Sequence, residues 1–100
     1  MKALICGAGK YTRSLLSRLG ERWHITLIDR SESILTEMSH QHDTVAKAIT
    51  GDASSPVLLE EAGLENSDYV LALTDNDKVN LAVARYAREK GVKHILSVVR

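Results

Sequence analysis

The residues best suited to binding a ligand form a glycine-rich turn in the stretch ICGAGKYTRSLLSRLG, residues 5–20. Gly7 and Gly9 have the spacing of the first two glycines of a dinucleotide-binding loop. The first permits a tight turn, and the second lets a pyrophosphate approach the backbone where a helix begins. The third glycine position holds Thr12, whose hydroxyl we expect to bond a backbone group or a phosphate oxygen. The turn predicts a weakened phosphate-binding loop, although a plain strand–turn–helix explains the same residues about as well.

Two cations follow the glycines, with Tyr11 between them in the same loop. Lys10 and Arg13 fall in the first turn of the predicted helix. Positive charge there opposes the helix dipole by about 0.3–1 kcal/mol per residue, and a bound anion would reverse that penalty. Both side chains could instead point into water. We favour the anion-binding interpretation because the glycines lie beside them.

Asp29 is the strongest single indication of a nucleotide site. It ends the second apolar run, 20 residues after Gly9, where a carboxylate accepts hydrogen bonds from a ribose diol. It would also repel a 2′-phosphate, which favours NAD-type or simple adenine nucleotides over NADP. The neighbouring Arg30 could pair with a 2′-phosphate or stack on adenine. The alternative role for Asp29 is a helix cap, but Ser31 already supplies one.

Two later loops, which follow the third and fourth predicted strands, also carry acidic residues. Within Gly51–Ala53, Asp52 could contact the adenine or ribose, or could be an ordinary turn residue. One residue of Asp75, Asn76 and Asp77 is expected to cap the fourth helix. The carboxylates of these two loops could also hold a hard cation. No metal-loop spacing is present, so the sequence predicts no metal site.

The remaining polar or reactive side chains suggest structure rather than chemistry. The four histidines (His24, His40, His42 and His94) fall at strand starts or after the second helix, so surface or packing roles are expected. Cys6 lies within the first predicted strand and is expected to be a small core residue. A single cysteine also suits a reducing cytoplasm.

The elements that position these residues are short and alternate along the chain. Runs rich in Ile, Val and Leu predict five strands: 3–6, 25–28, 45–49, 69–73 and 95–99. Four are continuously apolar, as in strands buried on both faces, whereas Lys47 interrupts the third and indicates an edge strand. Strand and helix alternate throughout, which implies a parallel sheet with helices on both faces. We therefore expect a three-layer α/β, Rossmann-like fold with strand order 3-2-1-4-5 and ligands bound near the switch between strands 1 and 4.

Helix boundaries are expected from caps and glycines. The apolar stripe Thr12, Leu15, Leu16 and Leu19 is expected to run to Gly20. Ser31 is expected to cap the second helix, and Ser55 with Pro56 the third, which Gly63 closes. The fourth helix carries a stripe from Val79 to Ala87 and ends at Gly91.

Length and composition exclude several classes of protein. One hundred residues with 44% apolar content predict one globular domain spanning residues 1–100. The formal net charge is zero, so no field attracts nucleic acid. No apolar run approaches the roughly 20 residues that cross a bilayer, and no membrane insertion is expected.

The order of these motifs is familiar. The segments GAGKYTRSLLSRL, ITLIDRSE and GDASSPVLLEEAGLENSDYVLALTDNDKVNLAVARYAREKGVKHILSVVR closely resemble the N-terminal nucleotide-binding lobe of RCK domains, the TrkA-N group of Trk/Ktr-type potassium transport subunits. The resemblance covers essentially the whole chain. It implies a cytoplasmic module, peripheral to the inner face of the cell membrane, that senses NAD(H) or ATP/ADP. Such a module gates a membrane potassium channel or transporter and assembles as a homo-oligomer, a dimer or a ring of dimers.

The resemblance also assigns roles to individual residues. It places Gly7, Gly9 and Lys10 in the phosphate loop and Asp29 at the ribose, with Arg30 and Asp52 along the adenosine and Thr74 near the phosphates. The expected binding site is Gly7, Gly9, Lys10, Tyr11, Thr12, Asp29, Arg30, Asp52, Ala53 and Thr74.

This sequence departs from the family pattern in two places. Thr12 replaces the usual third glycine. The family lobe also continues beyond the fifth strand, so we expect either a domain truncated at its C-terminus or a minimal relative of the family. Leu81 and Ala84 fall outside the core stripe of the fourth helix and would form a partner contact or lie under neighbouring loops.

Two other functions are compatible with the fold. An NAD-dependent oxidoreductase fragment would need an acid or base beside the nicotinamide. The sequence shows no such constellation and no second lobe, so we expect no enzyme activity. A structural Rossmann-like domain without ligand is the other alternative, and Thr12 is its best support.

Overall fold

Five strands form one parallel sheet in the order β3-β2-β1-β4-β5, as predicted. The computed structural model describes residues 1–98. The strands are β1 (Lys2–Cys6), β2 (His24–Asp29), β3 (Val45–Thr50), β4 (Tyr69–Ala72) and β5 (His94–Ser97). The helices are α1 (Lys10–Leu16), α2 (Glu32–Gln41), α3 (Pro56–Glu61) and α4 (Asp77–Glu89), and a short 3-10 helix spans Leu64–Asn66.

The central strand β1 separates two cores and thereby makes the fold three-layered. Leu4 and Cys6 pack with buried residues of α3 and α4, whereas Ala3 and Ile5 pack with buried residues of α1 and α2. Because alternate residues of a strand point to opposite faces of a sheet, this division puts one pair of helices on each face. All four of these strand residues are buried, which accounts for the continuously apolar run.

The strand ends differ slightly from the predicted ones. β4 ends at Ala72, one residue before Leu73, and β5 begins at His94, one residue before the apolar run. Val99, the last residue of the predicted fifth strand, lies outside the described residues. β3 is an edge strand, as Lys47 indicated, and pairs with β2. The prediction that the fifth strand is buried on both faces is wrong: β5 is the other edge of the sheet, pairs with β4, and leaves Leu96 55% exposed.

Local caps explain where α2 and α3 begin. The Ser31 hydroxyl accepts a hydrogen bond from the Ile34 amide at 3.3 Å, and Ser55 accepts one from the Leu58 amide at 3.4 Å, with Pro56 in the first turn. Each side-chain oxygen satisfies an amide that the first turn leaves without an intrahelical acceptor. Both predicted starts are confirmed.

The predicted end of α1 at Gly20 is wrong. The helix ends at Leu16, with Ser17 as its C-cap. The amides of Arg18 and Leu19 then bond to carbonyls three residues back, so the chain tightens into turns before it reaches the glycine. A 3-10-type turn at a helix end is a common way to satisfy the last carbonyls.

No helix within residues 1–98 is long and apolar enough to span a bilayer.

Candidate functional site

A cleft of about 520 Å³ opens at the carboxyl ends of β1, β2, β3 and β4. It includes the point where the strand order reverses beside β1, the usual ligand position in open parallel sheets. Nine of the ten residues expected at the site line this cleft: Gly7, Gly9, Lys10, Tyr11, Asp29, Arg30, Asp52, Ala53 and Thr74. Thr12 does not. The structure therefore brings together loops that follow four different strands.

The two glycines of the first loop are needed for different reasons. Gly7 has a positive φ of 104°, and a Cβ added there would lie 2.6 Å from the Leu73 carbonyl oxygen. Its requirement is internal to the fold. A Cβ added at Gly9 would meet no protein atom within 4 Å. Steric contact with the described residues therefore does not require a glycine at position 9. Gly9 lines the cleft.

Thr12 is buried and bonds the backbone rather than the cleft. Its Oγ1 donates a hydrogen bond to the Gly7 carbonyl oxygen at 2.6 Å, and the side chain is 0% exposed. Of the two partners considered for this hydroxyl, the structure has the backbone group. Thr12 thus bonds the glycine turn from the position where a third glycine usually allows the helix to pack closely against the strand.

Asp29 ties two cleft-lining turns together. Its Oδ1 accepts a hydrogen bond from the Ala8 amide and its Oδ2 from the Ser31 amide, both at 2.9 Å. These bonds fix the carboxylate at the edge of the cleft. Each carboxylate oxygen can accept a further hydrogen bond, so Asp29 keeps capacity for the hydroxyls of a ribose.

Arg30 and Asp52 form an ion pair along the rim of the cleft. Arg30 Nη2 lies 3.0 Å from Asp52 Oδ2, and the other oxygen, Oδ1, accepts bonds from the Ser54 amide and hydroxyl at 2.9 and 2.7 Å. The Ser54 bonds, followed by Arg30, lower the pKa of the Asp52 carboxyl from its usual value. The structure therefore shows the turn role that was the alternative for Asp52.

The two cations of α1 have separate environments. Lys10 lines the cleft, and its Nζ lies 5.9 Å from the centroid of the Tyr11 ring. Arg13 does not line the cleft, because its guanidinium pairs with Glu37 of α2 at 3.4 Å. The anion-binding interpretation of Arg13 is therefore not supported, and Lys10 is the cation at the first loop of the cleft.

Asn80 is a buried polar residue that sequence reasoning did not place at the site. Its Oδ1 accepts bonds from the amide and hydroxyl of the cleft-lining Thr74, at 3.0 and 2.6 Å. Its Nδ2 donates to the carbonyls of Thr74 and Val98, both at 3.0 Å. The side chain is 0% exposed, and both of its polar atoms are satisfied. Asn80 therefore holds the loop after β4 in place, and only its position on the buried stripe of α4 could have indicated this role.

Other cleft residues were also missed. Ile34 and Val79 add apolar side chains to the lining, and Ser31 and Asn76 add the N-terminal caps of α2 and α4. Asn76 Oδ1 accepts bonds from the next helix amides at 2.9 and 3.1 Å, so it is the cap expected among residues 75–77. An apolar residue in the first turn of α2 or α4 is the signal that could have identified Ile34 and Val79.

No group of three histidine, cysteine or acidic side chains within the described part of the chain could hold a metal ion. The carboxylates of residues 52, 75 and 77 are not gathered into such a site.

The histidines and Cys6 lie away from the cleft lining. His94 stacks on Tyr69 with ring centroids 4.4 Å apart, and Tyr69 also contacts Trp23, so these rings pack at the opposite end of the strands. Cys6 is buried, and burial raises the pKa of its thiol to about 12. The prediction that Cys6 is a core residue is confirmed.

Comparison with known proteins identifies relatives over nearly the whole chain. The TrkA-N domain family matches residues 3–100. The chain is 35% identical to the Trk system potassium uptake protein TrkA of Vibrio alginolyticus over 88 residues, 87% of this chain and 19% of that protein. It is 33% identical to a TrkA homolog of Archaeoglobus fulgidus over 96% of this chain and 21% of that protein. The chain thus spans about a fifth of the length of these relatives.

Solved structures with a similar fold include one relative bound to a nucleotide. It is a Kef CTD of Shewanella denitrificans in an AMP-bound form, with a TM-score of 0.70 and 25% sequence identity. The similarity covers 96% of this chain and 56% of that one.

Proposed function

Because this chain belongs to the TrkA-N domain family, we propose that it is a nucleotide-sensing regulatory module of potassium transport. In this proposal the cleft binds NAD(H) or ATP/ADP, and the bound nucleotide gates a membrane potassium channel or transporter. The module acts in the cytoplasm, at the inner face of the membrane, as part of a homo-oligomer. A nucleotide acts as a signal when its affinity differs between two states of the assembly.

The observation that carries the proposal is the contrast between Gly7 and Gly9. The fold explains the first glycine, since a Cβ there would meet the Leu73 carbonyl. No atom of the described residues excludes a side chain at the second, which has open space where a Cβ would stand. Its position as the N-cap of α1 favours glycine over alanine by only about 1 kcal/mol or less. Close approach of a phosphate to the backbone accounts for a glycine at that position.

Four further observations support an adenine nucleotide. The fixed carboxylate of Asp29 lies at the same cleft with acceptor capacity for a ribose diol. Lys10 supplies a positive charge at the first loop, and Ile34 and Val79 supply an apolar lining. The AMP-bound form of the Kef neighbour is consistent with a purine nucleotide as the ligand.

We propose no catalytic role. The relatives described above are potassium uptake proteins by name. The cleft lining contains no histidine or cysteine among the described residues. Turnover of NADH with a carbonyl compound would contradict this part of the proposal.

The experiment compares Gly9→Ala with Gly20→Ala. Added Cβ atoms meet no protein atom within 4 Å at either position, but only Gly9 lines the cleft. Titration calorimetry and thermal melting with AMP, ADP, ATP, NAD, NADH and NADP measure affinity, and a ligand at 100 times its Kd adds about 2.7 kcal/mol of stability.

We expect the wild type and Gly20→Ala to bind at least one of the adenine nucleotides. Gly9→Ala should fold, with a loss of about 1 kcal/mol or less because alanine is a poorer N-cap than glycine, and should bind at least tenfold more weakly. If none of the nucleotides binds the wild type, the domain without ligand is the correct alternative. Unchanged affinity in Gly9→Ala would remove the argument from the loop.

A further inference from the structure

We call the part of the cleft beside Asp29 the ribose edge. It carries the negative charge of that carboxylate, which hydrogen bonds hold in place. Both carboxylate oxygens of Asp29 accept backbone amides, from Ala8 and Ser31, at 2.9 Å. Rotation of this side chain would break both bonds in a half-buried position. A ligand with a phosphate on its adenosine 2′-oxygen would therefore meet a fixed carboxylate.

Arg30 is the cation that could offset this repulsion. It directly follows Asp29, and an arginine near this position accommodates the 2′-phosphate in proteins that bind NADP. Its side chain is 76% exposed, so a ligand can reach it. The sequence alone thus contains both a residue that excludes a 2′-phosphate and one that accepts it.

Asp52 resolves this conflict by pairing with the guanidinium of Arg30. Its Oδ2 lies 3.0 Å from Arg30 Nη2. Its Oδ1 is held by the amide and hydroxyl of Ser54, which aims the second oxygen at the arginine. The ribose edge therefore contains one positive charge, on Arg30, and two negative charges, on Asp29 and Asp52.

We propose that Asp52 is a specificity-determining residue that excludes nucleotides carrying a 2′-phosphate, because it holds and neutralises Arg30. The inference rests on the proposed function, since it concerns which nucleotides the same cleft accepts. Lys10 is the one other cation among the described residues that line the cleft, and it lies in the glycine loop after β1 rather than after β2. Without the Asp52 charge, Arg30 is available to the 2′-phosphate.

The test compares two probes that differ by one phosphate group, 5′-AMP and adenosine 2′,5′-bisphosphate. Titration calorimetry measures the Kd of each for the wild type, Asp52→Asn, Asp52→Asn with Arg30→Met, and Glu89→Gln. Asparagine keeps an oxygen for the Ser54 bonds, so the loop should fold. Glu89 lies at the exposed C-terminal end of α4. Its substitution by glutamine therefore removes one negative charge away from the cleft.

In the wild type, the bisphosphate should bind more weakly than AMP. In Asp52→Asn, the ratio of the two Kd values should shift towards the bisphosphate by about fivefold, the size of one exposed ion pair. In the double variant and in Glu89→Gln, the ratio of the two Kd values should equal that of the wild type or be less favourable to the bisphosphate.

Three outcomes would overturn the inference. An unchanged ratio in Asp52→Asn, with AMP still bound, would remove Asp52 from specificity and leave the proposed function intact. An equal shift in Glu89→Gln would assign the effect to net charge. Failure of AMP and the other adenine nucleotides to bind the wild type would reject the proposed function, and the inference with it.

Discussion

The hydroxyl of Thr12 donates a 2.6 Å hydrogen bond to the carbonyl oxygen of Gly7, the residue that opens the glycine-rich turn. A residue that departs from the glycine pattern therefore stabilises the turn instead of blocking it. Since Thr12 is fully buried, its methyl group lies in the protein interior and leaves the cleft open. The departure is compatible with a working phosphate loop.

Thr12→Val should destabilise the domain, because valine has the same shape but cannot donate to Gly7. Leaving a buried polar group unpaired costs about 1–3 kcal/mol. Thr12→Ser keeps the hydroxyl and should lose only about 1 kcal/mol from the missing methyl. Urea unfolding of the three proteins measures these differences. A valine variant as stable as the wild type would show that the hydrogen bond contributes nothing.

Asp29→Asn should weaken both folding and nucleotide binding. An asparagine can accept only one of the two amides that Asp29 bonds, so the free energy of unfolding should fall by about 1–3 kcal/mol. Affinity for AMP should fall about tenfold through loss of the charged acceptor. Calorimetry and urea unfolding measure the two effects.

Asp75→Asn is the matched control for Asp29. This residue also lines the cleft and is exposed, so its variant removes the same charge from the same site. Its stability should change by about 0.5 kcal/mol or less. Equal losses of affinity in both variants would show that overall cleft charge matters, rather than the position of Asp29.

Asn80→Ala should be among the most destabilising substitutions at the residues that hold the cleft loops, since Asn80 lies in α4 and bonds the loop after β4. It removes four hydrogen bonds made by a fully buried amide, and we expect a loss of about 2–4 kcal/mol. The Val98 amide, which bonds the Ala72 carbonyl, should also exchange its hydrogen faster. Urea unfolding and hydrogen exchange check both, with the exposed Asn66→Ala as the control. A loss no larger than in Asn66→Ala would contradict this prediction.

Cys6 should make the domain less stable at alkaline pH. Burial raises the pKa of its thiol from 9.0 to about 12, so the folded protein keeps its proton over a range where the unfolded chain releases it. The stabilising difference is complete below pH 9 and is lost as the pH rises towards 12, at up to about 1.4 kcal/mol per pH unit.

Unfolding free energies of the wild type and Cys6→Ala at pH 7 to 11 measure this effect. The difference between the two proteins should narrow or reverse above pH 9. A wild-type profile parallel to that of Cys6→Ala would contradict the assignment.

The fold was predictable because most strands carry their burial in their own residues. Strands covered on both faces need unbroken apolar runs, and Lys47 marked one edge of the sheet. The apolar run of β5 gave no such sign, because the exposed face of that edge strand carries Leu96. The caps at Ser31 and Ser55 were equally local. The end of α1 was not predictable, because a tight turn, rather than Gly20, terminates it.

The site was predictable only in part because its key contacts join distant loops. Arg30 and Asp52 are 22 residues apart, and no periodicity indicates that they pair. Asn80 lies within an otherwise apolar helix face, where a polar residue gives no sign of the partner it will find. The positions of Asp29 and the glycines were clear, whereas these partnerships required the structure.

The side-chain amide of Asn80 connects the end of the edge strand β5 to the wall of the cleft. Through it, the turn that ends β4 is fastened to the carbonyl of Val98, just after β5. Because both bonds come from one buried amide, a displacement of the Val98 carbonyl would act directly on the turn that lines the cleft. Conversely, a ligand that ordered this turn would also restrain the Val98 carbonyl.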